Sequence, residues 1–293
     1  MGDKKKIVFI INPKSGVRKK KRVEKAINRF LDHGLFDKKI IYTEYPQHAT
    51  EIARRESEAG ADIVVAVGGD GSANEVARGL IGSRSVMGLI PVGSGNGLAL
   101  YLKIPLILKF SIGIINRQRV RRIDTATFND KMFVSIAGVG FDALVAHEFS
   151  HCRRRGFFSY LNIILRRFPK YRPGRFRISF GDISLARRAI MISFANSDQF
   201  GFNASIAPEA KINDGMLDMC IVRPVSVFSA LFMANKLFLK NFDLSKNVEI
   251  YKVKNATIES TTPVYSQVDG DPMGLVNAVS VSIQPKSLSI IVP

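Results

Sequence analysis

Apolar residues follow two rhythms along this 293-residue chain. Up to about position 124, short apolar runs alternate with stretches in which apolar residues recur every three or four positions. Ile7–Ile11, Lys39–Thr43, Asp62–Val67 and Val86–Pro91 are of the first kind and predict strands. Roughly Lys19–His33, with Val23, Ile27, Phe30 and Leu31 at helical spacing, is of the second kind, as are Ala49–Ala59 and Ser72–Leu80. Strand and helix in alternation predict a parallel sheet covered on both faces.

Beyond Asp124 the runs shorten and crowd together. Met132–Ala137, Phe176–Phe180, Ala189–Ala195, Met216–Val222, Glu249–Glu259, Val264–Val268 and Val279–Gln284 predict an antiparallel sandwich or barrel. Helical stretches interrupt it near Phe141–Phe168 and Ser226–Leu239. The change places a boundary near Ile123–Thr127. It divides the chain into an α/β domain of residues 1–124 and a β-rich domain of residues 125–293, with room for the last residues to return to the first.

Composition narrows the class. Hydrophobic residues make up 46% and charged residues 23%, which suits a folded globular chain and excludes intrinsic disorder. Cys152 and Cys220 form neither a disulfide framework nor a metal-ligand spacing, as expected of free thiols in a reducing, cytoplasmic setting. The apolar run after Lys4-Lys5-Lys6 is too short for a signal-peptide core. No run reaches the roughly 20 residues of a bilayer span; Leu106–Ile115 is interrupted by Lys109. The formal net charge of +18 attracts polyanions: nucleotide phosphates, an anionic membrane surface or nucleic acid. No recognised nucleic-acid module accompanies it.

Glycine clusters sit where strands hand over to helices. Gly68-Gly69-Asp70-Gly71-Ser72 follows Ile63–Val67, and Gly93-Ser94-Gly95-Asn96-Gly97 follows Leu89–Val92. Asn12-Pro13-Lys14-Ser15-Gly16 follows the first strand. Glycine lets a backbone approach a ligand closely, and a helix N-terminus offers free N–H groups to phosphate. In open α/β sheets ligands bind at the carboxyl ends of the strands, where all three loops lie. The P-loop pattern G-x-x-x-x-G-K-[ST] is missing. Gly138-Val139-Gly140-Phe141-Asp142-Ala143 matches a dinucleotide fingerprint but lacks the acid about 20 residues on, and reads as structural.

These loops in this order resemble the diacylglycerol kinase catalytic family, which includes sphingosine and ceramide kinases. The likeness continues through Thr43, His48-Ala49, Ala73-Asn74-Glu75, Pro91–Asn96, Asp124, Ala137–Asp142, Asn213–Asp218 and Val268-Asp269-Gly270-Asp271. It implies a Rossmann-like parallel-sheet nucleotide-binding domain, an antiparallel β-rich, sandwich-like second domain, and an active site in the cleft between them. It further implies that Asn12, Pro13, Lys14, Ser15, Gly16, Thr43, Gly68, Gly69, Asp70, Gly71, Ser72, Ala73, Asn74 and Ser94 surround ATP. In the bacterial branch the likeness implies a Mg²⁺ on Asp214, Lys211 and Met216, the last two through backbone carbonyls. Asn96-Gly97 stands where bacterial diacylglycerol kinases carry Asn-Asp, and is nearer the sphingosine-kinase form. Ser72 and Ser94 replace threonines, and Asp271 replaces a glutamate.

The resemblance therefore implies an ATP- and Mg²⁺-dependent lipid kinase acting on a sphingoid base or a diacylglycerol-like lipid. An alcohol is a poor acid, so a carboxylate must take its proton as the bond to phosphorus forms. Asp271 is the first candidate, Asp70 its rival as base or metal ligand, and Asp124 a support for a Mg²⁺–water network. His48 belongs with the ATP-side loop; His33, His147 and His151 receive no role. Residues His151–Arg175 carry eight Arg or Lys and no acid, interleaved with aromatics. Such a segment suits either docking on an anionic membrane surface, with peripheral localisation, or a solvated basic helix. A homodimer is compatible with the sequence. The competing readings are a NAD kinase-like enzyme with a soluble acceptor and a non-catalytic lipid- or nucleotide-binding pseudokinase.

Overall fold

A computed structural model describes residues 4–13, 20–152, 156–201 and 204–293. The chain divides into two compact units, residues 1–123 with 286–293, and residues 124–285.

The first unit contains β1 (Lys5–Ile11), α1 (Lys20–Phe30), β2 (Phe36–Tyr42), α2 (His48–Glu58), β3 (Ile63–Gly68), α3 (Asp70–Leu80), β4 (Val86–Pro91), α4 (Gly97–Tyr101), α5 (Leu108–Arg117) and the start of β5 (Val120–Phe128). The strands run parallel in the order β4-β3-β1-β2. Every residue of β3 is buried, because helices cover both faces. Each side chain such as Val65 or Phe9, wholly withdrawn from water, contributes about 1.5–3 kcal/mol. In α1 the inward stripe is Val23, Ala26, Ile27 and the following Leu31, while Phe30 stays half-buried.

The second unit adds β6 (Lys131–Phe133), β7 (Ile136–Gly140), α6 (Phe141–Ser150), α7 (Phe157–Arg167), β8 (Gly174–Phe180), β9 (Ile183–Ala189), β10 (Met191–Ala195), β11 (Gln199–Gly201), β12 (Ala204–Ser205), β13 (Leu217–Val222), α8 (Val227–Phe238), β14 (Val248–Val253), β15 (Asn255–Val268) and most of β16 (Asp271–Ile291). Antiparallel pairing runs β14-β13-β10-β7-β15. Alternation along these strands sorts side chains onto two faces. Ile192 and Phe194 of β10, with Leu217, Met219 and Ile221 of β13, join one core with Phe176 and Ile258. Ala195, Cys220 and Val222 point the other way, into a core with Met233 of α8. The middle strands are thus covered on both sides, which explains their near-continuous apolar sequence.

The single helical stretch expected over Phe141–Phe168 is two helices, with Gly156 (φ 154°) preceding the second. The expected strand Glu249–Glu259 is likewise two, broken at Lys254, and Val279–Gln284 is the middle of the 21-residue β16. Ser226 caps α8: its hydroxyl accepts the Ser229 N–H at 3.2 Å.

Candidate functional site

Parallel register lines up the strand ends of the first unit. Ile11 lies beside Tyr42 on one side and Val67 on the other, and Val67 beside Ile90. One residue further on, Thr43, Asn12, Gly68 and Pro91 therefore form a row at the carboxyl edge of the sheet. Thr43 N–H donates to Ile11 O (3.0 Å), Asn12 N–H to Val67 O (3.2 Å) and Val92 N–H to Gly68 O (2.9 Å). Asn12 Nδ2 also donates to Ser72 Oγ at 3.3 Å, tying the first loop to α3. Pro13 ends the described part of that loop; Lys14, Ser15 and Gly16 lie outside the described residues.

The two glycine turns touch through their backbones. A Cβ on Gly93 would lie 2.4 Å from Gly69 Cα and 3.0 Å from Asn96 Oδ1, so only glycine allows this approach. A Cβ on Gly71, by contrast, would meet nothing within 4 Å. Ser94 is exposed, Ala73 is buried, and Asn74, 4% exposed, has neither amide atom hydrogen-bonded. A buried amide without partners is costly, and a bound ligand or ordered water relieves it.

Asp70 opens α3, and the backbone amides of Leu98, Gly97 and Asn96 at the start of α4 lie near enough to its carboxylate to favour the charged form. Burial pushes its pKa up, and those amides oppose the rise without cancelling it. Asp70 thus lies against the second glycine turn, where a Cβ on Gly95 would come within 2.8 Å of its Oδ2. His48 helps close the neighbouring loop: its Nδ1 accepts Glu44 N–H at 3.1 Å and its ring stacks on Tyr45. Glu75 Oε2 accepts the Ala49 N–H at 3.2 Å, near the start of α2.

In the second unit the acidic candidates form a linked set. Asp124 is fully buried; its Oδ2 accepts Gly215 N–H at 2.7 Å, and its carbonyl accepts Asn196 Nδ2 at 2.8 Å. Asn196 Nδ2 also reaches Val134 O at 2.6 Å. Asp269 accepts the N–H groups of Val134, Ser135 and Ile136 at 2.8–3.0 Å. Asp269 (φ 49°) and Gly270 (φ 84°) make the two-residue left-handed turn joining β15 to β16. Asp269 is therefore held structurally, and the next residue, Asp271, is exposed.

Gln267 joins this turn to a buried acid that sequence reasoning left without a role. Its Oε1 accepts Gly270 N–H at 2.9 Å, and its Nε2 donates to Asp142 Oδ2 at 3.2 Å. Ser193 Oγ donates to the same oxygen at 3.3 Å, while Asp142 Oδ1 is buried with no hydrogen-bond partner. Burial lifts the Asp142 carboxyl to about 6, against the pull of Gln267, the nearby Ala143 amide and Ser193.

Asp142 lies on the wall of a cavity of about 260 Å³ enclosed by α6, α7 and α8. Val145, Ile164, Phe168, Met233 and Phe242 are among its apolar lining, and Asp142 is the one carboxylate among the lining residues. Phe158, Phe228 and Phe232 on α7 and α8 are exposed at 84%, 79% and 75%. The other side of α7 faces an open polar pocket with Arg166, Arg167 and Lys170, where Arg167 pairs with Glu148.

Comparison with known proteins decides the family. The model of the "Diacylglycerol kinase catalytic domain" matches residues 6–128, and that of the "YegS C-terminal NAD kinase beta sandwich-like domain" matches residues 135–292. The chain belongs to the diacylglycerol kinase catalytic family. A Chromohalobacter salexigens protein named "Probable lipid kinase YegS-like" is 31% identical over 232 residues, covering 75% of this chain and 73% of its own. The Bacillus subtilis protein named "Diacylglycerol kinase" is 26% identical over 297 residues, covering 99% and 97%. A crystal structure titled as a diacylglycerol kinase from Bacillus anthracis str. Sterne shares the fold, with a TM-score of 0.77 at 19% identity over 100% of this chain and 98% of the other.

As a member of this lipid kinase family, the chain is a phosphotransferase with an alcohol acceptor, and the family implies ATP as phosphate donor. Within the first unit the structure brings Asn12, Thr43, Gly68–Asn74 and the Gly93–Gly97 turn onto one sheet edge. Within the second it joins Asp124 to the Asp214–Gly215 turn, and the turn before Asp271 to Asp142 through Gln267. The Asp142 cavity was missed because apolar helix faces carry no motif; the available signal was an acid two residues after Gly138-Val139-Gly140.

The diacylglycerol kinase resemblance assigned Mg²⁺ to Lys211, Asp214 and Met216, and the residues present do not suit it. Asp214 Oδ1 already accepts Met216 N–H at 3.1 Å, and Lys252 Nζ stands 3.1 Å from Oδ2. Lys211 O takes the Asp214 N–H at 3.4 Å. Among those residues, no helix is long and apolar enough to cross a membrane.

Proposed function

We propose that this kinase phosphorylates a hydroxyl of a long-chain lipid whose hydrocarbon lies in the α6–α8 cavity and whose polar head meets Asp142. The observation that carries the reading is an apolar cavity with a single buried carboxylate, one oxygen of which has no partner. That arrangement suits an amphiphile bearing a hydroxyl or ammonium beside its chain, since a buried acceptor gains most from a donor brought by the ligand. A sphingoid base, with an ammonium to set against a carboxylate, suits it better than a diacylglycerol, whose one donor is the hydroxyl that receives the phosphate.

In this reading Asn12–Gly16, Thr43, Gly68–Asn74 and Ser94 hold ATP. The N-terminus of α3, behind the Gly68–Gly71 turn, supplies N–H donors to its phosphates, and Asn74 finds its missing partner there. Magnesium arrives as the ATP–Mg²⁺ complex, a substrate. Asp271 takes the acceptor proton: it is exposed, directly after the Asp269-Gly270 turn. Asp124 braces the Gly215 turn. The protein works at an anionic membrane surface on the cytoplasmic side, with Phe158, Phe228 and Phe232 entering the interface and Arg166 and Lys170 meeting headgroups.

The test is transfer of labelled phosphate from ATP–Mg²⁺ into a panel of dihydrosphingosine, diacylglycerol, monoacylglycerol, phosphatidylglycerol and NAD. One labelled sphingoid product, reduced at least ~100-fold by Asp271→Asn and with a raised KM in Asp142→Asn, is expected. Label in NAD alone, or in no acceptor despite ATP binding, would overturn the reading.

A further inference from the structure

The loop from Lys211 to Met216 already carries a cation of its own. Lys252 of β14 lies directly across from Asp218 of β13 in the antiparallel ladder. Its Nζ is 3.2 Å from Asp218 Oδ2 and 3.1 Å from Asp214 Oδ2, so one ammonium bridges two carboxylates. Asp218 is buried, and a desolvated carboxylate requires a charged or hydrogen-bonding partner. The loop's backbone is then fixed by its neighbours: Met216 N–H on Asp214 Oδ1 and Gly215 N–H on Asp124 Oδ2. A divalent ion placed on Asp214 would share that carboxylate with the ammonium, and like charges at such range repel.

We propose that Lys252 takes the place of a resident divalent cation on this loop, so that the Asp124, Asp214 and Asp218 corner of the second unit is assembled without metal. The inference rests on the fold of the second unit alone and stands independently of which lipid is phosphorylated.

Thermal unfolding of the full chain without nucleotide, in EDTA and in millimolar Mg²⁺, tests it. The wild-type Tm is expected to be the same in both to within about 1 °C. Lys252→Met, which leaves two carboxylates facing each other, should unfold roughly 4 °C or more lower in EDTA and recover in Mg²⁺. A wild-type Tm that rises with Mg²⁺, with the rise lost in Asp214→Asn, overturns the proposal. So does a Lys252→Met protein whose Tm ignores Mg²⁺, because the two carboxylates would then not form a cation site. If Lys252→Met does not fold, Mn²⁺ binding to the wild type followed by electron paramagnetic resonance decides. No tightly held ion supports the proposal, and one ion lost in Asp214→Asn overturns it.

Discussion

The two units build their sites from different material. In the first, the sheet edge presents backbone: N–H groups, carbonyls and glycines packed so closely that Gly69 and Gly93 meet Cα to Cα. In the second, the cavity is walled by side chains from three helices, with one acid among them. A backbone site depends on the few residues that permit its geometry, so a methyl added at a contact such as Gly93 is intolerable. A side-chain cavity depends on summed shape and can absorb exchanges of similar volume.

The largest effect should come from Gly93→Ala. Its Cβ would have to displace Gly69 Cα from 2.4 Å, parting the two turns. We expect a loss of about 2–4 kcal/mol in urea denaturation and a fall in ATP turnover of at least ~100-fold. Gly71→Ala, with open space around it, should unfold within about 0.5 kcal/mol of wild type. If the two behave alike, the first unit is not the backbone-limited site described above.

Asp142→Asn sharpens the comparison from the other side. Burial raises this acid from 3.8 to about 6, so it favours the folded state fully below about pH 4, and that contribution is lost as pH rises to about 6. The asparagine variant lacks this dependence. Its stability relative to wild type should therefore improve between pH 4 and pH 8, by up to about 3 kcal/mol, as measured by chemical denaturation at each pH. A constant difference would mean that Asp142 is not desolvated as described.

These two sites were unequally legible. Gly68-Gly69-Asp70-Gly71 announces a strand-to-helix turn because few residues tolerate it, and the structure has β3 ending and α3 beginning there. The target of Asp70 was not legible: its partners at Asn96–Leu98 are brought near only by the pairing of β3 with β4. Asp142 was read within a structural glycine pattern, since its significance comes from Ser193 and Gln267, which are remote in sequence. The length of β16 escaped notice because Pro272, Gly274 and Pro285 interrupt the apolar alternation that marks a strand.

Smaller effects should follow changes at the helical rim. Phe228→Ser with Phe232→Ser removes exposed aromatic surface from α8, so the Tm should hold to within about 2 °C. Sedimentation with vesicles of anionic phospholipid should weaken several-fold. Unchanged vesicle binding would detach these aromatics from the membrane reading. Ser226→Ala, which removes the α8 cap, should cost about 1 kcal/mol, measured by thermal unfolding.

The contact between Gly69 and Gly93 also bears on how this family can diversify. Because each glycine is the other's neighbour, neither loop can lengthen its side chain at this point while its counterpart stands still. Mutational paths through these turns must step around this pair or change both turns at once. The helices around Asp142 carry no such mutual constraint, so under the proposed lipid reading variation in the acceptor can accumulate there one residue at a time.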